Sequence, residues 1–193
     1  MKKILALALS FLVVFGAVAC SSKKTTTENK ATDNASMEEY YKSYSGLYDK
    51  NISSLKGYNM YTDVNTVNEA YRDKEYPGNE KHLADIKAAY KDSKEKIQVF
   101  IDGLKNDTKT SDKELKKMNE EMIAEGEKLI KDIDAKLAKL DTITETDLTK
   151  GKDEFFKLVD ESVKSVKSDA NTFNDMLKNM DKKLGIDRAK TNK

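Results

Sequence analysis

Residues 156–184 decide the fold, and they read FKLVDESVKSVKSDANTFNDMLKNMDKKL. Apolar residues recur here at alternating spacings of three and four, the spacing of one helix face. The pattern predicts a helix from about Thr146 to Leu184, roughly 58 Å long at 1.5 Å per residue, with an a/d stripe buried in a bundle or coiled coil. Gly185 follows where a left-handed C-cap is expected. The stripe consists of Phe156, Val159, Val163, Val166, Ala170, Phe173, Leu177, Met180 and Leu184.

Several upstream stretches show the same periodicity. Ser36 with Glu39 fits a capping box and predicts a first helix that Gly57 ends or bends. A shorter helix is expected around residues 64–71, and Asn79, after a Pro-Gly turn, is expected to be the N-cap of the next long helix. Ser111 with Glu114 fits a second capping box. The fold class is therefore all-α: an elongated up-down helical bundle with coiled-coil-like a/d packing over residues 36–187.

The composition excludes several classes of protein. The chain has 193 residues, with 35 Lys and Arg against 34 Asp and Glu and a net charge of +1. It therefore lacks the basic excess that is typical of nucleic-acid-binding proteins. It has one Cys, one His, one Pro and no Trp. A single Cys excludes an intramolecular disulfide, and few helix breakers favour long helices.

The first residues have the shape of a secretory signal. Lys2 and Lys3 form a positive start, and residues 4–19 are uncharged and mostly apolar. This run is short for a membrane span, which needs about 20 apolar residues. Residues 1–19 are therefore predicted to be a signal peptide.

The end of this run, Ala17-Val18-Ala19-Cys20, resembles the lipobox of bacterial lipoproteins. The resemblance covers about the first 22 residues, and it implies cleavage by signal peptidase II and a lipid anchor, with acyl chains such as palmitate, on Cys20. Ala17 stands where Leu is usual in that family. Ala17-Val18-Ala19 also fits an A-x-A site for ordinary signal peptidase, the alternative that leaves the protein unlipidated.

The residues after Cys20 predict a tether between lipid and bundle. Residues 21–35 contain no large apolar side chain, so residues 20–35 are expected to be a disordered, lipidated linker. Residues 188–193 are expected to be a disordered tail. Two or three acyl chains would hold the protein firmly, outside the cytoplasm, on the cell membrane or the outer membrane.

The sequence offers no recognisable active site. His82 is expected on a solvated helix face, and the only Cys is expected to be lipidated. Asp132 and Asp134 are two apart on a helix and do not face each other. No metal site, cofactor, phosphate-binding loop or catalytic residue is predicted, and the protein is not expected to be an enzyme.

The distribution of the tyrosines along the chain is uneven. All nine lie between residues 40 and 90, and Tyr40 and Tyr41 are adjacent, so one core cannot hold both. Tyr is favoured at interfaces because it joins a large apolar area to a polar group. The alternative is that the tyrosines fill a shallow groove between helices. The candidate partner surface consists of Tyr40, Tyr41, Tyr44, Tyr48, Tyr58 and Tyr61.

These observations leave two non-enzymatic functions open. The first is an envelope lipoprotein that binds an envelope protein, a host protein or a surface ligand through its helical domain. The second is a structural spacer or assembly factor of the envelope. The membrane is an expected partner through Cys20, self-association is open, and nucleic acid is not expected.

Overall fold

The computed structural model describes residues 27–55, 74–167 and 170–188, and within these ranges all regular structure is helical. The chain therefore folds as the predicted all-α bundle. Its elements are α1 (Thr27–Leu47), a π-helical turn (Tyr48–Ile52), α2 (Asn79–Asn106), α3 (Lys113–Leu140), the short α4 (Glu145–Leu148), α5 (Lys152–Lys164) and α6 (Ala170–Leu184). The shorter helix predicted around residues 64–71, the signal peptide and Cys20 lie outside the described residues.

The two longest helices, α2 and α3, form an antiparallel hairpin. Lys87 pairs with Asp141 at 2.8 Å and Lys94 with Asp134 at 2.6 Å, so moving seven residues along α2 moves the partner back seven residues. Ser111 was the predicted N-cap of α3, but the observed N-cap is Asp112. The carboxylate of Asp112 accepts from the backbone N–H groups of residues 114 and 115, and Asp is as effective an N-cap as Ser.

The decisive stripe is divided between two helices, so the prediction of one helix over 146–184 is wrong. Backbone at Gly151 is extended (φ −60°, ψ 151°), and α5 ends with its C-cap at Ser165. The hydroxyl of Ser165 donates to the carbonyl of Ser162 at 2.7 Å, a local bond that competes with helix continuation. Both halves nevertheless face the core, which buries Phe156, Val159, Val163, Phe173, Leu177 and Met180.

Helix α6 runs antiparallel to α3. Glu114 and Lys183 form an ion pair at one end, and Phe173 approaches Gly126 further along. After Leu184 the chain turns at Gly185, whose φ of 70° is the left-handed value predicted for the cap. The N–H of Ile186 donates to the carbonyl of Asp181 at 2.8 Å and closes the helix.

Helix α1 begins nine residues before its predicted start. Ser36 lies inside the helix rather than at a cap, and residues 27–35, predicted as part of the tether, are helical. Extending an existing helix adds one hydrogen bond per residue and avoids the cost of nucleation, so buried apolar side chains are not required. The described part of the bundle therefore begins closer to Cys20 than the sequence suggested.

The core runs along the facing sides of α1, α2, α3, α5 and α6. None of the described helices combines the length and apolar character needed to cross a membrane. The largest fully buried side chains are Tyr40, Tyr44, Tyr90, Phe100, Phe155, Phe156 and Phe173.

Candidate functional site

Tyr40 and Tyr44 belong to the core, so their assignment to a partner surface is wrong. Both are fully buried, and their rings lie 6.3 Å apart and almost parallel. The hydroxyl of Tyr40 donates to Oδ1 of Asn119 at 2.9 Å, and that of Tyr44 lies 3.4 Å from the carbonyl of Leu177. Burial raises the pKa of both hydroxyls. The polar group that suits Tyr to an interface is here satisfied within the fold.

Among the described members of that candidate surface, Tyr41 and Tyr48 reach solvent. Tyr41 is 39% exposed, while its neighbour Tyr40 is buried, as expected for adjacent helical positions. Tyr48 is half-buried at the start of the π-helical turn. Tyr58 and Tyr61 lie outside the described residues.

Arg188 covers Tyr48 and joins the segment after α6 to the π-helical turn. Its guanidinium carbon lies 3.6 Å from the centroid of the Tyr48 ring. It donates to both carboxylate oxygens of Asp181, at 2.8 and 3.0 Å, and to Asp49 at 2.9 Å. The prediction that disorder begins at residue 188 is therefore wrong for Arg188, because a planar guanidinium can stack and form a fork at once.

Asn79, at the N-terminal end of α2, connects three segments of the chain. It is the first residue of α2, and Gly78, with a φ of 92°, occupies the N-cap position predicted for Asn79. The Asn79 amide instead donates to the carbonyls of Leu148 and Lys150, at 2.9 and 2.8 Å. Its Oδ1 accepts from the hydroxyl of Tyr76 at 2.5 Å. Asn79 therefore ties the start of α2 to the connection between α4 and α5.

His82 lies in an aromatic enclosure next to Asn79, so its expected position on a solvated face is wrong. It is fully buried. The imidazole centroid lies 4.7 Å from the ring of Phe156, 5.7 Å from that of Tyr76 and 6.3 Å from that of Phe155. Burial lowers the pKa of His82 to about 4, so the side chain is neutral at physiological pH.

An open cleft lies on the solvent side of this cluster. Its volume is about 600 Å³, and Asn79 is one of the residues that line it. The enclosed imidazole cannot take a proton from a molecule held in solvent without an opening of the fold. The cleft is lined by Pro77, Gly78, Asn79, Glu80, Lys81, Ala84 and Leu148.

The described residues bring together no cluster of His, Cys, Asp or Glu that could hold a metal ion. Asp134, one of the two acids considered in the sequence, is ion-paired to Lys94 on the surface. Cys20, the predicted lipidation site, lies outside the described residues.

Comparisons with family models, curated proteins and solved structures find no match for this chain.

Proposed function

We propose that this protein is a lipid-anchored, non-enzymatic lipoprotein of the bacterial cell envelope, whose helical bundle contacts a protein or surface ligand. The observation that carries the proposal is the apolar run that ends in Ala19-Cys20, where the only Cys of the chain stands at a signal-peptide junction. A sole Cys at this position has a direct explanation as the lipid attachment site.

In this proposal the lipid anchor and the helical bundle have separate roles. Each buried CH₂ of an acyl chain contributes about 0.8 kcal/mol, so two or three chains on Cys20 hold the protein at the membrane. The described helices bury their apolar side chains in one core and carry mainly polar outer faces. The lipid therefore supplies the attachment, and the bundle stands in water beside the membrane.

The exposed surface limits the kind of contact that the bundle can make. Among the described residues the large hydrophobic side chains that stand exposed are Tyr41 and Val99, at 39% and 50%. They lie on different helices, α1 and α2. A partner would consequently meet a mainly polar surface, on which Tyr41 is the best candidate anchor because Tyr is enriched in interface centres.

The burial of Tyr40 and Tyr44 also favours a second candidate, a structural spacer or assembly factor of the envelope. These tyrosines strengthen the core rather than extend a binding face. A bundle with satisfied polar surfaces can set a distance between the membrane and another layer without binding a specific ligand.

The anchor is tested by fractionation of cells that express the full chain. Wild type and the matched control Ser22→Ala should both partition with membranes, whereas Cys20→Ala should appear in the soluble fraction. Retention of Cys20→Ala in the membrane fraction would refute the lipid anchor.

The two roles of the bundle are separated by a photocrosslinking residue at position 41, compared with one at exposed Lys131 on α3. One product of defined mass from position 41 alone supports binding through Tyr41. If neither position gives a product, and an unrelated bundle of the same length restores the loss-of-gene phenotype, the spacer role is supported and binding is refuted.

A further inference from the structure

We propose that protonation of His82 opens the N-terminal end of α2, so that this end of the bundle works as an acid-operated latch. In the closed state the first turn of α2 packs on α5. In the open state the first turn leaves α5, and the imidazolium meets water. The latch concerns the folded domain and does not depend on the lipid anchor.

The closed state leaves no room for a hydrated imidazolium. His82 is fully buried, and the rings of Tyr76, Phe155 and Phe156 surround it from the segment before α2 and from α5. A charged side chain without water is expensive to bury unless an opposite charge compensates it. The enclosure therefore accepts the neutral ring and rejects the charged one.

Two described charged side chains act on His82 in opposite directions. Lys152 of α5 lies over the rings of Tyr76 and Phe156, at 5.1 and 5.4 Å, and its positive charge disfavours protonation. Asp85, on His82's own helix, favours protonation, but burial outweighs it. The first turn of a helix carries partial positive charge, which also opposes an imidazolium.

Several charged groups on neighbouring elements form ion pairs with one another. At the end of α3, Asp141 pairs with Lys87 at 2.8 Å. Between α4 and α5, Lys150 pairs with Glu154 at 3.0 Å and with Asp147 at 3.7 Å.

The contacts that close the latch are few and lie together. Within the first turn of α2, the N–H of His82 donates to the carbonyl of Gly78 at 3.0 Å. Between this turn and the α4–α5 connection, Asn79 donates to the carbonyls of Leu148 and Lys150. Movement of the first turn of α2 breaks the two Asn79 bonds together. It also exposes the faces of Phe155 and Phe156, which are buried in the closed state.

The direction of the pH dependence follows from the two states. The pKa of His82 is about 4 when the latch is closed and about 6.5 when the imidazole is in water. Well above pH 6.5 both states are neutral, and pH has little effect. Between pH 6.5 and 4 the open state takes up a proton that the closed state refuses, so the open fraction should rise about 30-fold from pH 7.5 to pH 5.

The test uses the mature protein in detergent, and the single His of the chain makes the assignment unambiguous. NMR titration of the His82 imidazole should give a pKa well below 6.5. Hydrogen exchange, corrected for the intrinsic rate, should show protection at residues 82–86 falling about 30-fold between pH 7.5 and 5. Protection at residues 126–133, in the middle of α3, should stay constant.

His82→Phe is the matched control because it keeps an aromatic ring in the enclosure and removes the proton. Its first turn of α2 should keep the same protection at both pH values. The proposal is overturned if His82 titrates near 6.5 in the folded protein, or if the local loss of protection is absent. It is also overturned if His82→Phe loses protection equally, or if α3 loses protection in step with α2. The wild-type titration stands alone if the variant does not fold.

Discussion

Gly126 of α3 lies so close to Ile101 of α2 that a Cβ built on its backbone would be 2.5 Å from Cγ2 of Ile101. The same Cβ would be 3.3 Å from Cε2 of Phe173 on α6. Ile101 and Phe173 are both buried, and a β-branched side chain such as Ile has few other rotamers to adopt. The absence of a side chain at Gly126 therefore allows three helices to meet at one level of the bundle.

Gly126→Ala should destabilise the domain although Ala is the better helix former. Overpacking a core costs roughly 1–3 kcal/mol, whereas the gain in helix propensity is about 1 kcal/mol. A contact at 2.5 Å with a buried Ile places this site toward the larger cost. Urea unfolding followed by circular dichroism measures the change in the free energy of unfolding.

Gly46→Ala is the control for that prediction, because nothing lies within 4 Å of a Cβ at position 46 of α1. It should be neutral or stabilise by up to about 1 kcal/mol. If both variants gained stability alike, the three helices would not be closely packed at Gly126.

Phe173→Ala should be among the most damaging truncations on the divided stripe. Phe173 is buried, and its ring meets that of Phe100 edge-on at 6.3 Å. Truncating a buried Phe costs about 3–5 kcal/mol, a large part of a total stability of about 5–15 kcal/mol. The melting temperature of Phe173→Ala should therefore fall clearly.

The exposed Lys167 serves as the control, since Lys167→Ala should change stability by less than about 0.5 kcal/mol. Equally mild effects would mean that the stripe is not core.

Arg188→Lys should loosen the C-terminus although it keeps the charge. Lys can neither stack flat on Tyr48 nor form the fork to Asp181, so we expect a loss of about 1 kcal/mol. Thermal melts should show a lower midpoint for Arg188→Lys. Lys178→Ala, which removes an exposed ion pair with Asp175, should change stability by less than about 0.5 kcal/mol. If the melting curve of Arg188→Lys coincided with that of wild type, the contacts of Arg188 with Tyr48 and Asp181 would not contribute to stability.

Asn79→Asp should cost about 1–3 kcal/mol, because a carboxylate cannot donate to the carbonyls of Leu148 and Lys150. The Asp variant keeps an acceptor for Tyr76 and retains the shape of the side chain. Denaturant titration measures the loss. Asn174→Asp is the control, at an exposed position of α6, and should be almost neutral. An Asn79→Asp protein as stable as wild type would show that the two donated bonds are not needed to hold the α4–α5 connection.

The sequence predicts the fold class well, because amphipathic periodicity depends on residue type alone. The a/d stripe of the last segment is buried on both sides of its break, and Gly185 adopts the predicted left-handed conformation. The break near Ser165 was not predicted, because the apolar spacing continues through it without a change of phase. Propensity and local serine bonds interrupt the helix there, and hydrophobic spacing does not record them.

The candidate surface was harder to predict because two stripes overlap in α1. Tyr41, Tyr44 and Tyr48 have helical spacing, but so do Met37, Tyr40 and Tyr44, and the bundle buries the second set more deeply. Sequence alone cannot choose between them, since a Tyr hydroxyl is compatible with either environment.

His82 could have been found from the periodicity of α2. It lies four residues before Ile86 and eight before Tyr90, so it continues the buried stripe by one turn. The polarity of His concealed this extension, and the aromatic partners from α5 that stabilise the neutral ring are distant in sequence.

Intact-mass spectrometry of the mature protein from membranes tests the central claim most directly. The account predicts a chain that begins at Cys20 and carries the added mass of acyl chains on that residue, lost in Cys20→Ala. A mature chain with a free Cys20 thiol, or one that begins at any other residue, would contradict it.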